Sequence, residues 1–551
     1  MTNSHGPDGP RLGRRQFLTG AAASGVVLGL AGVTAAPASA ATAFGYTSSG
    51  GYYTVSTGAG LTFKINQSTG GMTSLNINGT ELQPSGTNES HVESGIPSPT
   101  VSARQTGNYI IVTASTSTWY GSGTLVHYFV AASGQNTIYM ATYVGSGGEL
   151  RWIQYLNRSI LSDIITASDV DGGTAIESTD IDLVNGQTRS KYYSNRQAMS
   201  LTPRGVTGSG LGVYMVYGLR ESSSGGPFFR DIEQQGTGAS VEVYNYMWSA
   251  HNQTEAQRLG VLHGPYALMV AGTSTPAAPD MTFMYSLGLT GAVASAGRGW
   301  VAGNASGVTS GIPATVGWAN PAAQYWATPQ SNGDFASPLM KPGSYTQTLY
   351  QGELAVATRT VTVTAGAETT GQNIDSGWVT PASPIFRIGT WDGTPSGFLN
   401  WANLTSMHPS DARMASWGPV TYTVGSSSAA SFPAYQFKDV NNPTTVKFTL
   451  SSSQVAARTV RIGITAAYAG GRPQITVNSW TSAAPSPSSQ PDSRSLTIGT
   501  YRGSTTLYTY SVPASAFVAG TNTMTITVIS GSSALSDWLS PAVSYDCVEL
   551  Y

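Results

Sequence analysis

The residues most suited to chemistry lie in Arg189-Ser190-Lys191-Tyr192-Tyr193-Ser194-Asn195-Arg196. The chain has five lysines against 21 arginines, and one of the five stands here among arginines and beside two tyrosines. Run as an extended segment, the stretch points Arg189, Lys191 and Tyr193 to one face and Ser190 and Tyr192 to the other. A lysine crowded by cations gives up its proton more readily, and that is how a lysine becomes a general base near neutral pH. The competing reading is a solvated lysine in a surface loop.

Four further stretches carry candidates. In Gly148-Glu149-Leu150-Arg151-Trp152-Ile153-Gln154-Tyr155 a strand puts Arg151, Ile153 and Tyr155 on one face, where Arg151 can clamp a carboxylate or pair with Glu149. Tyr244 and Tyr246 share a face of the aromatic run Val243–Trp248, as platforms for sugar rings or as core. The run from Glu221 to Asp231 reads as a flexible loop ending in the charged pair Arg230-Asp231, with an ordinary surface hairpin as the alternative. His263 stands between an apolar dipeptide and Gly264-Pro265, a context that also suits a buried core histidine.

A lysine, arginines and a histidine meeting in one tyrosine-lined cleft would want an anionic substrate, and a uronic acid polymer is the obvious one. Uronates are cleaved without water when a base removes the proton on C5. Charge then builds on the carboxylate, and an acid helps the O4 substituent leave. Lysine as base, arginine as charge stabiliser and histidine as acid fill those roles. A glycoside hydrolase would need two carboxylates about 5–10 Å apart, and Asp231 and Glu233 sit on one short segment instead.

The elements that must position these residues are strands. The 551-residue chain is too long for one core, and about three domains are expected. Charged residues make up 10%, against a usual ~25%, and Ser, Thr, Gly, Asn and Tyr fill the surface instead. With a net charge of −2 and no basic block, electrostatic nucleic-acid binding is not expected. One cysteine, Cys547, leaves no intrachain disulfide and no cysteine-based metal site, and six histidines support a zinc site poorly. No clustered carboxylates commit the chain to calcium chemistry. A structural calcium ion is compatible with the sequence, and no cofactor is required.

Residues 1–40 read as a twin-arginine export signal. Arg14-Arg15-Gln16-Phe17-Leu18 precedes an apolar run, and Ala38-Ser39-Ala40 supplies a small-residue cleavage site. The expected product is a secreted monomer with no membrane span. Residues 41–289 hold many short strands, such as Leu61–Ile65 and Tyr109–Val112, and suit a large two-sheet sandwich. Residues 290–377 suit a small immunoglobulin-like or fibronectin-like sandwich. Residues 378–551 read as a jelly roll, with the low-complexity run Ala483–Ser493 as one loop inside it.

Several stretches resemble polysaccharide lyase family 4, the rhamnogalacturonan lyases, and the resemblance covers essentially the whole mature chain. They include Ile388-Gly389-Thr390-Trp391-Asp392-Gly393-Thr394-Pro395, Met407-His408-Pro409-Ser410-Asp411-Ala412-Arg413-Met414, Gly470-Gly471-Arg472-Pro473-Gln474, Thr188-Arg189-Ser190-Lys191 and Leu262-His263-Gly264-Pro265-Tyr266. The resemblance implies an all-β chain: a catalytic sandwich of the galactose-mutarotase type, a fibronectin III-like domain and a carbohydrate-binding-like jelly roll. It implies eliminative cleavage of rhamnogalacturonan I between rhamnose and galacturonate, with Lys191 and His263 matching the acid–base pair and Arg151 a substrate contact. Two departures stand out. Tyr155 occupies a position where family members can carry a second arginine, and Gln257 precedes Arg258 where some carry tyrosine. The Trp391-Asp392 and His408–Asp411 motifs read as fixing jelly-roll loops, with sugar binding as the alternative. A non-catalytic pectin-binding protein on the same scaffold is the rival to an enzyme.

Overall fold

The computed structural model describes residues 42–551 apart from 85, 87, 88, 492, 493, 533 and 534. The twin-arginine stretch therefore lies outside the described residues. Strands dominate, and the helical pieces among the described residues are short 3-10 turns. No helix among them is long and apolar enough to cross a membrane.

The first unit is built on a seven-stranded antiparallel sheet that includes Gly123–Ala132, Thr137–Val144 and Val261–Ala271. A four-stranded sheet containing Leu150–Asn157 and Ser240–Trp248, a five-stranded sheet at the N-terminal end, a three-stranded sheet over residues 174–189 and a two-stranded pair complete it. Alternation decides what lies between them. Leu150, Trp152 and Leu156 from one strand, and Val241, Val243 and Met247 from its neighbour, join Phe129, Met140, Val144 and Leu268 in one buried core. The intervening residues therefore face the other way. Ile153, Tyr244 and Tyr246 form a second buried cluster with Ile181, Tyr192 and Tyr193, and Tyr155 packs against it. This outer face of the four-stranded sheet is the floor of the candidate site.

The second unit pairs a four-stranded sheet (Gln324–Ala327, Ala314–Ala319, Gly343–Gln351, Leu354–Val363) with a sheet centred on Trp300–Ser306. The third is two five-stranded sheets, one holding Arg458–Tyr468 beside Ala542–Leu550 and the other Thr444–Leu450 beside Gly520–Ile529. The all-β reading holds throughout. Trp391 and Cys547 of the third unit are buried in the core of the second.

The Glu221–Asp231 run is not the flexible surface loop its glycines and serines imply. Residues Glu221 to Phe229 are all buried. Glu221 pairs with Arg298 at 2.6 Å and Lys341 at 3.3 Å and accepts from Tyr325 Oη at 2.8 Å, which ties the first unit to the second. Its burial raises the carboxyl and the two cations lower it further, so it stays below the ordinary range.

Candidate active site

Lys191 is carried by a hairpin, Ile181–Val184 and Gln187–Arg189, turned at Asn185-Gly186 with both residues at positive φ, the geometry two-residue hairpins favour. The chain does not continue extended past it. Ser190 Oγ accepts from Tyr192 N at 3.3 Å and donates to Asp180 O at 2.7 Å, capping a 3-10 turn over Lys191–Ser194. The expected row of Arg189, Lys191 and Tyr193 on one face is thereby broken. Arg189 turns to Asp169 O at 3.2 Å, and Arg196 joins Arg204 on the buried Glu233. The cation near Lys191 is a different one, Arg494. Lys191 Nζ lies 3.0 Å from Asp180 Oδ1 and 5.5 Å from the Tyr192 ring centroid.

On the far side of Tyr192 stands His251, the two rings meeting edge to face at 5.3 Å. Its Nδ1 is 3.4 Å from Asp231 Oδ1, and its ring lies 5.9 Å from that of Tyr246. A left-handed Ala250, φ +63°, reverses the chain after the Ser240–Trp248 strand and brings the imidazole back over the sheet. That conformation costs a non-glycine residue about 1–2 kcal/mol. Tyr246 Oη accepts from Arg151 Nη1 at 2.7 Å, and Arg151 also bonds Glu149. Lys191, Tyr192, His251, Tyr246 and Arg151 thus follow one another across the outer face. Beyond Arg151 runs a groove of about 820 Å³, lined by His91, Glu89, Ser94, Ile153 and Tyr155 among others. Burial and then the Arg151 charge hold His91 below the ordinary imidazole range.

Three expectations change. His263 is fully buried, with 0% exposure. It stands opposite Thr142, which shares a strand face with the inward-facing Met140 and Val144, so it faces the space between the sheets and not the cleft. Burial pushes its imidazole down to about 3, and its one hydrogen bond joins Nε2 to Arg258 O at 3.0 Å. The histidine that shares the Tyr192 ring with Lys191 is His251, in the polar run after the aromatic strand. Arg230 also leaves the cleft. Its guanidinium donates to Tyr501 Oη at 3.1 Å and approaches Glu353 at 3.8 Å, joining all three units, while Asp231 next to it turns to His251. Tyr244 and Tyr246 are 6% and 2% exposed, so neither ring is an open stacking platform. They act through their hydroxyls, Tyr244 donating to Gln235 Oε1 at 3.0 Å.

The third unit reaches this site. Asp411 Oδ2 accepts from Thr188 N at 2.7 Å and Thr188 Oγ1 at 2.6 Å, three residues before Lys191. His408 Nε2 lies 3.0 Å from Glu177 Oε2, at the base of the same hairpin. The His408–Asp411 motif therefore grips the element that carries Lys191, beyond any role within its own loops. Among the described residues no group of three or more His, Cys, Asp or Glu side chains is placed to hold a metal ion.

An all-β scaffold with a lysine, an oriented histidine and an arginine on one sheet face suits a polysaccharide lyase, and the chain belongs to polysaccharide lyase family 4. The model for the N-terminal part of rhamnogalacturonan lyase B matches residues 44–291, and those for family 4 domains II and III match 297–371 and 384–550. The chain is 49% identical over 521 residues to rhamnogalacturonate lyase A of Aspergillus aculeatus, covering 92% of this chain and 96% of that protein. It is 49% identical over 518 residues to rhamnogalacturonate lyase A of Emericella nidulans, with the same coverage.

Proposed function

We propose that the protein is a secreted rhamnogalacturonan lyase that cleaves the rhamnose-(1,4)-galacturonate bond of rhamnogalacturonan I by β-elimination. The row Lys191, Tyr192, His251, Tyr246, Arg151 on one sheet face carries the reading, and the names of its relatives support it. Arg151 meets the galacturonate carboxylate and draws off the charge that builds there. Lys191 takes the proton from C5. The C5–H electrons form the C4=C5 double bond as the C4–O4 bond breaks. His251, oriented by Asp231, gives a proton to the departing O4, which stays on rhamnose. The products are a rhamnose reducing end and a 4,5-unsaturated galacturonate. Base, acid and charge stabiliser are all side chains, so the reaction needs no cofactor. Export by the twin-arginine route and action as a monomer complete the reading.

The test is ultraviolet absorbance of the unsaturated uronate during incubation with rhamnogalacturonan I, for the parent and for Lys191→Ala and His251→Ala. Absorbance that rises with the parent and falls about 10²-fold or more in each variant is the expected result. Chain shortening without new absorbance would mean hydrolysis and would sink the reading.

A further inference from the structure

One cation of the Lys191 neighbourhood comes from the third unit. Arg494 Nη2 lies 3.2 Å from Asp180 Oδ2, while Lys191 Nζ lies 3.0 Å from Oδ1 of the same carboxylate. Arg494 Nη1 lies 2.8 Å from Glu177 Oε1, and its guanidinium is 5.9 Å from the Tyr192 ring, the ring that also faces Lys191. Glu177 in turn holds His408 at 3.0 Å and Thr497 Oγ1 at 2.9 Å, so its partners here all belong to the third unit. Across Tyr192 stand His251 and Asp231. A lysine alone on Asp180 would close into an ordinary ion pair and be kept as an ammonium. A second cation on the same carboxylate divides that attraction.

We infer that Arg494 is a positioning residue of the lyase site: by sharing Asp180 with Lys191, it keeps the lysine against Tyr192 while leaving its amine free to take the substrate proton. The third unit is then part of the catalytic cleft and not a separable binding module. This rests on Lys191 being the base in the reaction proposed above.

The test uses the full chain and two readouts, one of which needs no substrate. Acetic anhydride acylates only the neutral amine, and with five lysines in the chain the Lys191 peptide is resolved by mass spectrometry. In Arg494→Gln, acylation of Lys191 at pH 8 should fall about tenfold, while the exposed Lys438 and Lys447 keep their rates. The rising limb of kcat against pH should move to higher pH with KM little changed, and Arg494→Lys should restore part of both. His408→Gln loosens the same junction through Glu177 without touching Asp180, and should lower the melting temperature while leaving Lys191 acylation in place. Unchanged or faster acylation in Arg494→Gln overturns the inference, as does an equal loss in His408→Gln. A parent protein that yields no unsaturated uronate while Arg494→Gln still slows acylation would refute the lyase reading and leave the coupling standing.

Discussion

His263 makes the protein sensitive to acid in a way that can be read from one substitution. Its imidazole is held down to about 3 by burial, against about 6.5 in the unfolded chain. Between those values the unfolded state binds a proton that the native state refuses. The neutral histidine's contribution is therefore complete above pH 6.5 and is lost as pH falls. At about 1.36 kcal/mol per unit, lowering pH from 6.5 to 5 costs about 2 kcal/mol at this one residue. Glu242 has the opposite sign. Burial pushes it up to about 7, so the native state takes up its proton first and gains about 2 kcal/mol over the same interval. His263→Gln keeps a donor within reach of Arg258 O and removes the titration. Urea midpoints followed by tryptophan fluorescence at pH 6.5 and 5 should show the variant losing about 2 kcal/mol less than the parent. Glu242→Gln should lose about 2 kcal/mol more. Parallel losses in parent and His263→Gln would refute the argument, because they would mean that the imidazole charges freely in the folded protein.

Other outcomes follow from the site. Arg151→Lys removes the fork that can hold a carboxylate by two bonds, and should raise KM about tenfold, close to 1.4 kcal/mol, in the absorbance assay. Asp411→Asn loses charge-assisted bonds to Thr188 and Arg413; each such bond contributes about 1.5–3 kcal/mol, and limited proteolysis should cut the Thr174–Arg189 hairpin sooner than in the parent. Treatment with a chelator should leave the elimination rate unchanged, since the proposed roles fall to side chains. A rate that collapses and returns with added calcium would oppose that assignment.

Strand-rich architecture was legible in the sequence because alternation is a local signal. Leu61–Asn66 and Gly520–Ile529 show it plainly. The face carrying Arg151, Ile153 and Tyr155 was legible for the same reason, and the structure places all three along the floor and groove. What failed was long-range or depended on a single backbone bend. His251 lay in a polar run that looked like a loop, and only the left-handed turn at Ala250 returns it to the sheet. His263 looked equally available, but its strand neighbours face a core that sequence spacing alone does not reveal. The Glu221–Phe229 run has loop composition, yet another unit packs over it. Arg494 sits just past a low-complexity run in the third unit, with no local cue that it reaches Asp180.

The strand Ala542–Leu550 lies inside its sheet, paired with Phe386–Gly389 on one side and Arg458–Tyr468 on the other. Synthesis therefore delivers a middle piece of that sheet after its flanks. The earlier strands wait with an open slot until residues 542–550 leave the ribosome, and the third unit closes only then. Because that unit grips the Lys191 hairpin through Asp411 and His408, the hairpin gains those contacts only then. Lys191 is translated well before residues 542–550, so a nascent chain stalled short of residue 542 would carry Lys191, His251 and Arg151 without the Asp411 and His408 contacts that a closed third unit supplies.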